Sequence, residues 1–127
     1  MQKTFLTIGA SAAGLAVILG AFGAHALKEK IAPEQIQIFE TGIRYQMYHA
    51  FALIIVGILF EKFGSSLLNT SGYFFITGMI FFSGSLYLLA LRSMIGMEMK
   101  SLGPITPLGG LCLISGWILL IISIIKK

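Results

Sequence analysis

The two histidines of the chain, His25 and His49, lie beside or inside long apolar stretches. His49 follows Tyr45 and Tyr48, and a neutral imidazole there can donate one hydrogen bond and accept another. Ionisable groups within apolar helices usually face a partner or a cavity, so His49 is a candidate functional residue, with a satisfied interhelical contact as the competing interpretation. His25 is the weaker candidate, because the dipole at a helix C-terminus favours a cation without any further role.

Charged side chains extend this group. Glu40 and Arg44 are four residues apart with the glutamate first, the favourable order for a helical ion pair that would hold an amphipathic segment at headgroup depth. The alternative is that Arg44 and Arg92, arriving from neighbouring helix ends, form a site for an anion or lipid headgroup. Two arginines and a histidine would repel one another if all were charged, so we expect the polar residues to line a concavity open to one membrane face, with irregular backbone at Gly103 to Pro107 folded over it. The candidate ligand or partner residues are His25, Glu40, Arg44, Tyr45, Tyr48, His49, Tyr87, Arg92 and Thr106.

Metal and catalytic chemistry have little support. Met94, Met97 and Met99 could suit Cu(I), but no HxH, CxxC or H-E-x-x-H spacing fixes a geometry. No aspartate occurs, and no serine lies in a nucleophile-elbow sequence. We therefore predict no catalytic residues, no bound metal and no cofactor, and a protein that is not an enzyme.

Composition places the chain in a membrane. It is 57% hydrophobic and 11% charged, with a mean hydropathy of +0.92, beyond what a soluble surface tolerates. The net charge of +4 has no long basic run behind it, so nucleic acid is not an expected partner. Membrane lipid is the expected partner, a membrane protein or a second copy of the chain is possible, and the expected location is the cell membrane.

Four apolar stretches of a single domain (1–127) are long enough, or nearly so, to cross a bilayer. They cover about residues 5–26, 45–62, 71–91 and 108–125. The first is longer than the apolar region of a signal peptide, which favours a retained span. Pro33 predicts a helix start, and the amphipathic segment after it would lie in the interface before the helix enters the hydrocarbon. The expected fold is an all-α, up-down-up-down four-helix bundle.

Small residues recur along these spans and predict close helix packing, which counts against a wide channel. They are Ala12, Ala16, Gly20, Ala24, Gly84 and Gly116.

Four ordered segments resemble a known family. They are GAFGAHAL at Gly20 to Leu27, YQMYHA at Tyr45 to Ala50, FSGSLY at Phe82 to Tyr87, and GPITPLGG at Gly103 to Gly110. Together they are similar to the domain of unknown function 423 family of small four-span membrane proteins, relatives of transmembrane protein 256. Ala26 departs from the pattern, where glycine is expected. The resemblance implies the four-span fold and leaves activity open, because the family has no established one.

Three function classes follow, in order of preference. The first is binding of a lipid headgroup or partner protein at one polar membrane face. The second is a carrier or proton-linked conduit for a small solute, and the third is a metal or redox protein.

Overall fold

A computed structural model describes residues 2–96 and 98–126, apart from the side chains of residues 99 and 101. Within that part of the chain every regular element is helical. The elements are α1 (Lys3–Ile18), a π-helix (Leu19–Gly23), α2 (Ala24–Leu27), α3 (Pro33–Phe63), α4 (Ser66–Ala90), α5 (Arg92–Ile95), α6 (Met99–Leu102) and α7 (Ile105–Ile125).

Four helices are long and apolar enough to cross a membrane. They are the first span, Lys3–Leu27, made of α1, the π-helix and α2, followed by α3, α4 and α7. The predicted all-α membrane protein with four spanning helices is confirmed.

The second span is one continuous helix that starts at Pro33, as predicted. Proline suits a first helical turn, where its missing N–H would have had no partner. The N–H of Ala32 donates to Gln35 Oε1 at 3.1 Å, which helps to fix this start. The helix ends at Gly64, whose φ of 52° places it in the left-handed region that favours glycine.

The fourth span begins earlier than predicted. Gly103 and Pro104 form a turn, but α7 already starts at Ile105, so the expected irregular backbone from Gly103 to Pro107 is wrong. Pro107 is accommodated because it lies in the first turn of α7, where backbone N–H groups have no intrahelical acceptor.

The helices pack in chain order: the first span on α3, α3 on α4, and α4 on α7. In each pair, the beginning of one helix contacts the end of the other. The N–H of Gln2 donates to the carbonyl of Gly57, whereas Gly23 at the other end of the first span faces Phe39. Neighbouring spans are therefore antiparallel, and residues 24–44, 90–96 and 98–106 lie towards one end of the protein.

The core contains buried side chains from all four spans, among them Phe5, Leu53, Val56, Leu68, Phe75 and Leu113. Glycines let the large rings enter it. A Cβ at Gly116 would lie 2.7 Å from the ring of Phe75, and one at Gly72 would collide with Phe5. Close packing at small residues thus holds the spans together.

The six small residues selected from the sequence have different positions. Gly116 and Ala16 are buried at helix contacts, and the Ala12 carbonyl accepts a hydrogen bond from α3. Gly20 and Ala24 line a cavity. Gly84 borders two cavities, and a Cβ built there would meet nothing within 4 Å.

Candidate functional site

A groove lies between the end of the first span and the beginning of α3. It consists of two adjoining cavities of about 490 and 230 Å³ that share Ala24 and Glu40. We call it the span-end groove. Its lining residues are Gly20, Ala24, His25, Lys28, Pro33, Ile36, Glu40, Ile43 and Arg44.

Local helix geometry shapes this groove. The π-helix Leu19–Gly23 interrupts the first span where it meets α3, and single π-turns of this kind often mark functional sites. Gly20 contributes no side chain here, which leaves the space beside Ile43 open. The next residues, Ala24–Leu27, form the last helical turn, and His25 and Lys28 project from its end. A helix C-terminus favours such cations.

The charges of the groove are not paired with one another. Arg44 Nη2 donates to Thr41 Oγ1 at 3.1 Å on its own helix. The expected Glu40–Arg44 ion pair is therefore wrong for the described residues. Of the two permanent cations, Lys28 lines the larger cavity with His25 and Arg44 lines the smaller one, while the Glu40 carboxylate borders both; all four side chains are exposed.

His49 lies elsewhere, buried near the middle of α3. Its Nδ1 lies 2.7 Å from the Tyr45 carbonyl, and Trp117 Nε1 donates to its Nε2 at 3.1 Å. A carbonyl only accepts and an indole N–H only donates, so these contacts require the neutral ring with the proton on Nδ1. The ring also packs against Phe75, with centroids 5.7 Å apart. The expectation that His49 lines a concavity at the membrane face is wrong.

Tyr87 joins an interhelical network instead of the groove. Its hydroxyl donates to Gln46 Oε1 at 2.6 Å, and Gln46 Nε2 donates to the Ala12 carbonyl at 2.8 Å. One glutamine side chain thus connects the first span, α3 and α4. Tyr87 and Gln46 also border an almost wholly apolar cavity of about 350 Å³ between α1 and α4.

Thr106 has a similar packing role, because its hydroxyl lies 2.6 Å from that of Ser85 and joins α7 to α4. Arg92 Nη1 donates to the Leu89 carbonyl at 2.8 Å, and Arg92 is not among the residues of the span-end groove.

The two remaining tyrosines among the candidates also lie outside the groove. Tyr45 packs on Phe82, with ring centroids 4.7 Å apart. Tyr48 is 54% exposed on the outer surface of α3. The nine candidates therefore do not form one site: only His25, Glu40 and Arg44 share the groove.

That the protein binds no metal remains a prediction, and a site at the methionines remains its alternative. Met94 is exposed, while Met97 and the side chain of Met99 lie outside the described residues. In the described part of the chain, no group of three or more His, Cys, Asp or Glu side chains could hold a metal ion.

Sequence reasoning missed Lys28, Gln46 as the central hydrogen-bonding residue, and Trp117. Lys28 follows His25 by three residues, the spacing that puts side chains side by side on a helix. Trp117 interrupts an apolar stretch far from either end, whereas tryptophan usually lies at the membrane interface, so its position was the available signal.

Comparison with known proteins identifies relatives along the full length. Residues 19–110 match the family described as "Protein of unknown function (DUF423)". The chain is 42% identical over 126 residues to the UPF0382 membrane protein YwdK of Bacillus subtilis (strain 168), covering 98% of both chains. It is 43% identical over 125 residues to the UPF0382 membrane protein SH2409 of Staphylococcus haemolyticus (strain JCSC1435), again covering 98% of both.

No solved structure matches the chain. The family match nevertheless leaves out only residues 3–18 of the first span and 111–125 of α7 among the spanning helices, and it includes the whole span-end groove. With four helices of membrane-spanning length, this chain is a membrane protein that belongs to the DUF423 family.

Proposed function

We propose that this protein binds a phospholipid of the cell membrane by the phosphate of its headgroup, and that it acts by binding without catalysis. The observation that carries the proposal is the span-end groove, in which Lys28 lines the larger cavity and Arg44 lines the adjoining smaller one, neither with an ion-pair partner among the described residues of the groove. His25 adds a third basic group. Guanidinium and ammonium groups are the usual protein ligands of phosphate.

The position of the groove along the membrane normal fits a lipid headgroup. The first span ends at Leu27, next to His25 and Lys28, so these side chains lie where a membrane-crossing helix leaves the hydrocarbon. Basic side chains at this level contribute about 1 kcal/mol each when they lie near anionic lipid. The two permanent cations would then favour binding by about 2 kcal/mol, roughly a 30-fold change in affinity.

Apolar surface continues from the groove along the first span. Gly20, Ala24 and Ile43 line its deeper part. Val17, Ile18 and Phe22 on the same span are each more than half exposed. Exposed apolar side chains of a spanning helix contact lipid chains, so a headgroup in the groove would have its acyl chains along this surface.

The experiment is a measurement of phospholipid retention. Wild-type protein and the double variant Lys28→Gln/Arg44→Gln are purified in the same mild detergent, and phospholipid bound per chain is counted by native mass spectrometry against increasing anionic phosphatidylglycerol. We expect the variant to bind about 30-fold more weakly.

The matched control is Lys30→Gln/Lys100→Gln, which removes the same charge from two exposed lysines that do not line the groove. It should bind as wild type does. If both double variants lose lipid affinity equally, the effect is one of non-specific surface charge and the proposal is contradicted. If neither loses affinity, the proposal is contradicted as well.

A further inference from the structure

Glu40 occupies a special position in the span-end groove. It lines both cavities, with His25 and Lys28 around the larger one and Arg44 beside the smaller one. Its carboxylate is exposed, and the guanidinium four residues later donates to Thr41. A negatively charged carboxylate therefore lies among the cations that would bind a phosphate.

This arrangement is poorly matched to a headgroup that is only anionic. A carboxylate beside the bound phosphate lowers the positive potential that the cations create, and like charges at short range oppose binding. A headgroup that carries its own cation reverses that contribution, because the cation can contact Glu40 while the phosphate contacts Lys28 and Arg44.

The type of cation matters as well. A primary ammonium group offers three N–H donors to a carboxylate, whereas a quaternary ammonium offers none. Glu40 is exposed, so an ammonium group can reach it directly from the interface.

We infer that the groove selects a zwitterionic phospholipid whose headgroup carries a phosphate and a primary ammonium group, with Glu40 binding the ammonium. This inference rests on the proposed phosphate site and specifies its ligand class. Phosphatidylethanolamine is the simplest lipid of that class.

The test compares three lipids on the full-length protein in detergent, again by native mass spectrometry. Phosphatidylethanolamine has both groups, phosphatidylcholine has the phosphate and a quaternary ammonium, and phosphatidylglycerol has the phosphate alone. We expect wild-type protein to bind phosphatidylethanolamine roughly 2- to 5-fold more tightly than either of the others, which is the scale of one solvent-exposed ion pair.

Glu40→Gln should abolish this preference and strengthen the binding of phosphatidylglycerol, because the carboxylate that opposes its phosphate is removed. Glu34→Gln is the matched control, since Glu34 is exposed in the first turn of the same helix and lines neither cavity. Glu40→Asp keeps a carboxylate and should keep part of the preference, which separates the charge from any effect on folding.

The outcomes are distinguishable. If Glu40→Gln leaves the lipid order unchanged, or if wild type prefers phosphatidylglycerol, the role of Glu40 is refuted and the phosphate site stands. If Lys28→Gln/Arg44→Gln binds all three lipids as wild type does, the phosphate site itself is refuted. Displacement of lipid by water-soluble glycerophosphoethanolamine at equal concentration would contradict a membrane-lipid ligand.

Discussion

Replacing Gly109 by alanine tests the packing of α4 against α7. A Cβ at Gly109 would collide with the backbone of Phe81 and Phe82, which cannot turn aside as a side chain can. Overpacking of this kind costs roughly 1–3 kcal/mol. The intrinsic gain of alanine over glycine in a helix, about 0.5–1 kcal/mol, is too small to offset the upper part of that range.

The adjacent glycine is the control. A Cβ at Gly110 would lie 3.7 Å from the ring of Phe82, an ordinary contact, so Gly110→Ala should be neutral or slightly stabilising. The gain in helix propensity is common to both variants and cancels, so we expect their free energies of unfolding to differ by about 1–3 kcal/mol, with Gly109→Ala the less stable.

The measurement is denaturant unfolding in one detergent, followed by the fluorescence of Trp117, the single tryptophan of the chain. Both variants carry the same chemical change in neighbouring positions of one helix, so their difference reports the helix contact and not the propensity. Equal stabilities, or a more stable Gly109→Ala, would refute the close approach of α7 to α4 at this point.

Two further substitutions test the interhelical hydrogen bonds. Trp117→Phe keeps an aromatic ring beside Phe75 but leaves His49 Nε2 without its donor, and should lower the free energy of unfolding by about 0.5–2 kcal/mol. Because this variant has no tryptophan, its unfolding and that of wild type are followed by far-UV circular dichroism in the same detergent; an unchanged stability would show that this bond contributes nothing. Gln46→Ala removes the hydrogen bonds to Ala12 and Tyr87 and should lower the free energy of unfolding by about 1–2 kcal/mol. Gln37→Ala, on the exposed surface of the same helix, should change it little. Equal effects of the two substitutions would contradict the role of Gln46 in joining three helices.

The fold was largely predictable because a spanning helix depends on the average hydropathy of a long segment and not on individual residues. Each spanning helix must satisfy its backbone polar groups internally, so a sufficiently long apolar stretch almost dictates a helix. Pro33 then marked the start of α3 correctly. The beginning of α7 was misplaced because two prolines and a glycine indicate a helix break, yet Pro107 falls in a first turn that tolerates it.

The candidate site was less predictable, because helix ends alone do not fix the rotation of each helix. Glu40, Arg44 and His49 were grouped by their position along α3, but Glu40 and Arg44 face the first span while His49 faces α4 and α7. The π-helix has no simple sequence signal, and it changes the direction of every residue after Leu19 in the first span. Which polar side chains share a groove therefore depends on packing that a single sequence does not reveal.

The hydrogen bonds also bear on the choice between headgroup binding and a proton-linked conduit. A conduit needs polar side chains that face water along the path and exchange partners as protons move. In the described part of the spans, Gln46, His49 and Tyr87 instead bond to neighbouring helices, and His49 would have to release Trp117 before its Nε2 could take up a proton. The polar side chains of the interior are thus engaged in holding the helices together, whereas Lys28, Glu40 and Arg44 at the span end lie exposed around an open space. A ligand that approaches from the membrane surface would meet those three groups first. This supports the proposed binding of a headgroup at the membrane face over the passage of a solute through the bundle.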